Sequence, residues 1–80
     1  MLTKLNTNNR VVGVKQVKRA INSSKAEVVF IADDAENRIT DEIIELCSEK
    51  QIQVVHVNNM KNLGDACGID INAAVAALLK

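Results

Sequence analysis

INAAVAALLK (Ile71–Lys80) is the stretch on which the fold turns. By intrinsic propensity its alanines favour helix. By what precedes it, it is a strand, because the apolar runs upstream need a further member to complete a sheet. Those runs are EVVFIA (Glu27–Ala32) and IQVVHV (Ile52–Val57). Both are short, continuous and rich in β-branched residues, the pattern of strands covered on both faces. A strand covered in this way also accommodates small residues where helices press close. Pattern alone leaves both readings of the tail open.

Between these runs the period changes. Val11-Val12 begins a short apolar run, and from Val14 onward Val14, Val17 and Ile21 share one helical face. Lys15, Lys18, Arg19 and Asn22 share another, which makes an amphipathic helix with a cationic stripe, ending near Asn22-Ser23-Ser24. DDAEN (Asp33–Asn37) reads as a polar turn. Thr40 is positioned to cap a second helix, with Asp41 and Glu42 in its first turn, where the macrodipole favours acids. Asn58-Asn59 starts a third, short helix through Leu63 to Ala66. Strands alternating with helices predict an α/β layer sandwich around a largely buried sheet.

The chain has 80 residues, enough for one domain, 1–80, with a thin core, since a domain this size buries only ~60% of its unfolded surface. Apolar residues make up 48%, yet Phe30 is the only aromatic, so the core is aliphatic. This argues against modules that stack bases on sheet aromatics. The opening MLTKLNTNNR holds no apolar run of signal-peptide type, and no run approaches the ~20 residues that span a bilayer. The expectation is a cytoplasmic protein, away from membranes, with Cys47 and Cys67 reduced.

Those two cysteines and His56 are too few and too scattered for a zinc site, which takes about four ligands. Cys47 falls on an apolar helix face and reads as core. No Cys–His pair is indicated, so no catalytic residue, metal or cofactor is expected. His56, between Val55 and Val57, is expected to show one edge to solvent. Phosphate-cradling glycine motifs are absent, and Asp33 and Asp34 lack calcium-loop spacing and read as turn formers. Gly13 stands before the cationic helix, where glycine admits close backbone approach and free N–H groups face anions. As a turn glycine alone it would mean nothing.

Net charge is zero, but its distribution is uneven. Residues 1–25 carry six bases and no acid, while residues 26–50 carry eight acids against Arg38 and Lys50. A neutral sum that hides a basic segment suits an anionic partner, although solvated helix faces would give the same pattern.

Three stretches, VVGVKQVKRAI (Val11–Ile21), VVFIADDAE (Val28–Glu36) and VNNMKNLGDACGIDINAAVAAL (Val57–Leu78), resemble the L-seven-Ae ribosomal-protein family of kink-turn RNA binders. The likeness is to its small bacterial, YbxF-like branch. LGDACGI is its most specific part, matching at Leu63, Gly64, Ala66, Cys67, Gly68 and Ile69. The resemblance implies a three-layer α/β/α sandwich with a four-stranded mixed sheet, and so reads the tail as a strand. It also implies a non-catalytic, monomeric RNA binder, ribosome-associated or ribosomal-protein-like.

In the family, the helix after the glycine enters the groove of a kink turn at tandem sheared G·A pairs. That role falls here on Gly13, Lys15, Gln16 and Arg19, with Lys15 and Gln16 replacing the Asn and Glu of archaeal and eukaryotic members. Gln16 carries both donors and acceptors for base edges, and Lys15 donates to guanine. Glu36 and the loop residues Gly68, Ile69, Asp70 and Ile71 correspond to positions around the extruded base, with Ile69 and Ile71 packing against it and Cys67 structural. Asp65 stands where the family is more often basic, Met60 replaces a common lysine, and Ile71 replaces an arginine of some eukaryotic members. With few cations, the salt dependence of binding should be shallow. Asp65 and the acidic Glu27–Glu49 segment motivate an alternative, a protein-interaction module on the ribosome with weak or lost RNA binding. An enzyme using Cys67 would need an accessible thiol of low pKa.

Overall fold

The computed structural model describes residues 9–69 and 71–80. The element order is β1 (Arg10–Val12), α1 (Val14–Asn22), β2 (Ala26–Ala32), α2 (Asn37–Lys50), β3 (Gln53–Val57), α3 (Met60–Ala66) and β4 (Val75–Leu79). The four strands form one mixed sheet in the order β1-β4-β2-β3. The second strand is parallel to the third, and the tail strand is antiparallel to both β1 and β2. The tail is thus an inner strand, and its alternation decides the layers. Val75 and Ala77 face a core with Val17, Ile21, Ile43 and Cys47 of α1 and α2. Ala76 faces the other core, with Phe30, Leu63 and Cys67 under α3. Two helices on one face and one on the other make the three-layer α/β/α sandwich. All three of these β4 residues are fully buried, and alanine suits a strand squeezed from both sides better than any larger residue would.

Glu27 is the exception in the apolar run of β2. Ala26 aligns with Leu79 and Val28 with Leu78, so an extra residue bulges there and Glu27 stays exposed. The second helix begins at Asn37, three residues before the cap that Thr40 suggests. Thr40 is buried inside the helix, with its hydroxyl donating to the Asn37 carbonyl at 3.2 Å, and no acid lies in the first turn. A threonine followed by acids carries the signature of a cap, but the burial of Ile43 and Cys47 on the core side sets the helix and brings Thr40 inward with them. Among the described residues, no helix is long and apolar enough to cross a membrane.

Candidate nucleic-acid interface

The parallel sense of β2 and β3, and of β1 through the antiparallel β4, places the start of every helix at the same end of the sheet. Residues 71–74 lead into β4 there. Backbone hydrogen bonds tie this end together: the Gly13 N–H donates to the Val75 carbonyl at 3.0 Å, Ala32 to Ala74 at 2.9 Å, Asp33 to Val57 at 2.8 Å and Ala73 to Met60 at 3.0 Å. Ligands of open α/β sheets bind beyond the carboxyl ends of strands, and helix N-termini favour anions.

The three helix starts are not equivalent. The third is closed by side chains. Asn59 accepts from the Asn62 N–H at 2.7 Å, and Asp34 accepts from the Met60 N–H at 2.8 Å. Asp34 is therefore more than a turn former. The first and second helices have no side-chain cap and no acid in the first turn. At the first, Gly13 adopts φ 102°, a conformation that strains any L side chain, and a Cβ built there would meet nothing within 4 Å. The fold needs this glycine for its backbone angle, and the space beside it is open. Lys15 and Gln16 are exposed next to it, and Arg19 is exposed in the last turn of the helix. The cationic stripe divides, because Lys18 pairs with Glu42 of α2 at 2.6 Å. Glu36, preceding the second helix, is exposed and binds Arg38 at 2.9 Å.

The loop after α3 supplies the remaining candidates. Gly68 is exposed at φ 75°, and its N–H donates to Asp65 at 3.0 Å. Ile69 is half-buried against the core under α3, its N–H donating to Gly64 at 3.1 Å. Asp70 lies outside the described residues. Ile71 is 72% exposed, although a residue of its kind normally seeks the core. The two isoleucines therefore divide their work, with Ile69 anchoring the loop and Ile71 facing outward. Ile71 passes so close to α3 that a Cβ on Gly64 would overlap its carbonyl oxygen.

Cys67 is fully buried, and its carbonyl accepts from Arg10 Nε at 3.0 Å and Nη2 at 2.6 Å. Sequence reasoning passed over Arg10. Its one signal was alternation in β1, which puts it on the same side as Val12, the side that packs under α3.

Burial pushes the Cys67 thiol up, with the Arg10 guanidinium partly opposing, and burial pushes the Cys47 thiol up. Neither suits a nucleophile. A thiol raised in the folded state stabilises that state below its ordinary value of 9.0, and the contribution is lost as pH rises through the higher folded value. Unfolding free energy should therefore fall as pH rises past the ordinary thiol value of 9.0. A Cys47→Ala/Cys67→Ala variant followed by denaturant unfolding should show a flatter profile. Equal slopes would mean the thiols are not the cause. His56 is exposed, as its flanking valines predict, with Nδ1 2.9 Å from Asp33 Oδ1. Among the described residues, no group of three or more His, Cys, Asp or Glu side chains is arranged to hold a metal ion.

A family model described as ribosomal protein L7Ae/L30e/S12e/Gadd45 family matches residues 1–80. A protein of Caldanaerobacter subterraneus subsp. tengcongensis, named as an RNA-binding protein, is 48% identical over 68 residues, covering 85% of this chain and 83% of its own. The RNA-binding protein YbxF of Geobacillus stearothermophilus is 37% identical over 70 residues, covering 88% and 85%. The solved structure of a 15.5kD RNA binding protein of Giardia lamblia superposes with a TM-score of 0.89 at 28% identity, over 99% of this chain and 68% of that one.

Proposed function

Because the chain belongs to the ribosomal protein L7Ae/L30e/S12e/Gadd45 family, we propose that it is a non-catalytic RNA-binding protein whose target is the kink turn, in ribosomal RNA or in a regulatory RNA. The observation that carries this reading is the uncapped start of α1, with open space beside Gly13, exposed Lys15 and Gln16 in the first turn, and Arg19 exposed further along the same helix. An RNA backbone approaches there without a side chain in its way. Gln16 and Lys15 meet the edges of the sheared pairs, and Arg19 meets guanine or phosphate. Glu36 and the Gly68–Ile71 loop flank the extruded base, with Ile71 offering it an apolar surface.

The relatives named as RNA-binding proteins support an RNA partner. The choice of a kink turn rests on the motif at Gly13, Lys15 and Gln16. The monomer is the acting unit, and ribosome association follows if the target lies in ribosomal RNA.

A titration tests the reading, with a standard kink-turn RNA at fixed salt and magnesium. The control is the same RNA with its G·A pairs changed to Watson–Crick pairs. Tight binding to the first alone is expected; equal, weak binding to both would sink the reading. Lys15→Ala and Gln16→Ala should each weaken kink-turn binding by about 1–3 kcal/mol, the usual range for a lost base-edge contact. If both variants bound as tightly as the parent, the contact surface would lie elsewhere.

A further inference from the structure

We propose that Arg10 is a positioning residue for RNA recognition, holding the loop after α3 at a fixed distance from the start of α1. The inference rests on the reading above, in which both segments touch RNA.

Arg10 begins β1, and the same strand runs through Val12 into Gly13 and the first helix. Its guanidinium leaves the sheet on the α3 side and places two N–H groups on one carbonyl, that of Cys67, at 3.0 and 2.6 Å. Cys67 ends the third helix and opens the loop. A charged, two-donor grip on a part-buried carbonyl is among the stronger local restraints available. At the loop's far end Ala74 accepts from Ala32 of β2, and the other described backbone bonds of the loop, Gly68 to Asp65, Ile69 to Gly64 and Ala73 to Met60, run to α3 itself. They fix the loop's shape against its own helix. Arg10 instead ties that helix end and the loop to β1, and so to Gly13, Lys15 and Gln16. Two short pieces, a strand of three residues and a helix of seven, are thereby coupled by one side chain. If the helix start reads the paired stem and the loop reads the extruded base, Arg10 sets the spacing between the two readings.

The test uses the full chain with Arg10→Met, which keeps the aliphatic stem, and Arg10→Lys, which keeps the charge but not the fork. Two readouts are needed. The first is amide hydrogen exchange in the free protein. The Gly68 and Ile69 amides should exchange about tenfold faster in Arg10→Met, with protection in β2 unchanged. The second is affinity for two kink-turn RNAs, one intact and one abasic at the extruded nucleotide. Arg10→Met should lose about tenfold on the intact RNA, the scale of one base contact, and little on the abasic one. Arg10→Lys should fall between.

Unchanged exchange in the loop overturns the proposal. Equal losses on both RNAs overturn it as well, because Arg10 would then act through charge or through the fold as a whole. So does faster exchange with no loss of affinity. The parent protein separates this failure from failure of the functional reading. If the parent does not distinguish the kink turn from its Watson–Crick control, the function itself is wrong. If it makes that distinction but binds intact and abasic RNA alike, only the role given to the loop and to Arg10 falls.

Discussion

Phe30→Ala is expected to destabilise the protein by about 3–5 kcal/mol, the range for removing a buried aromatic ring. Phe30 is fully buried at the centre of β2, aligned with Val55 on one side and Ala76 on the other. It lies beneath Leu63 and Cys67, and so forms the floor under the loop after α3. Its neighbours in the sheet are small, and they cannot close over the space a ring leaves. A chain of 80 residues has roughly 4–12 kcal/mol of total stability at ordinary values per residue. The loss would take a large fraction of that and bring the variant near to unfolding. Phe30→Leu, which fills most of the volume, should cost about 1–2 kcal/mol. The chain has no Trp or Tyr, so far-ultraviolet circular dichroism in a urea titration is the suitable probe. A Phe30→Ala loss below about 1 kcal/mol would show that the layers collapse onto the gap.

Gly64→Ala should act in the opposite sense to its local propensity. In the interior of a helix, Gly to Ala ordinarily stabilises by about 1 kcal/mol. Here the new methyl would overlap the Ile71 carbonyl, and it would sit 3.4 Å from the Asn72 Cα. Both are backbone atoms and no rotamer relieves the overlap, so the loop has to leave the helix. That strains the bonds from Ile69 to Gly64 and from Ala73 to Met60. Overpacking of about 3 kcal/mol less the propensity gain leaves a net loss of about 2 kcal/mol. In a domain of this size that lowers Tm by roughly 8–16 °C. Kink-turn affinity should fall by at least about tenfold as well, because Ile71 is carried by the displaced segment. A Tm equal to or above that of the parent would mean that the loop moves freely off α3 and that the close approach is not needed.

The degree to which sequence reveals this molecule differs element by element. β2 and β3 were legible because an unbroken β-branched run has one comfortable structure. α1 was legible because its apolar spacing and cationic residues fall on different faces. The tail was not legible from its residues: AAVAALL serves a helix as well as an inner strand, and only its neighbours choose. Resemblance to a family supplied those neighbours before the sheet did. The start of α2 was misread because a cap signature is a local pattern, whereas helix phase follows which residues reach the core. Of the candidate interface, Gly13, Lys15 and Gln16 stand together at one helix start, with Arg19 in the last turn of the same helix. What sequence could not show is how charges pair across elements. Lys18 is drawn off by Glu42, 24 positions away, and Arg10 is committed to a carbonyl 57 positions away. Such pairings depend on which helices meet, and no spacing within either segment encodes them.

Because β4 runs against the other three strands, it ends where they begin. The Leu79 N–H donates to the Asn9 carbonyl at 2.9 Å, the Asn9 side-chain amide donates to the Leu79 carbonyl at 2.8 Å, and the Lys80 N–H donates to the Lys25 carbonyl at 2.9 Å. Asn9 and Lys80 are thus near neighbours at the pole opposite the helix starts. A fluorophore or surface tether attached at this pole would sit away from the face proposed above to meet RNA, giving the domain a handle by which it can be held with that face free.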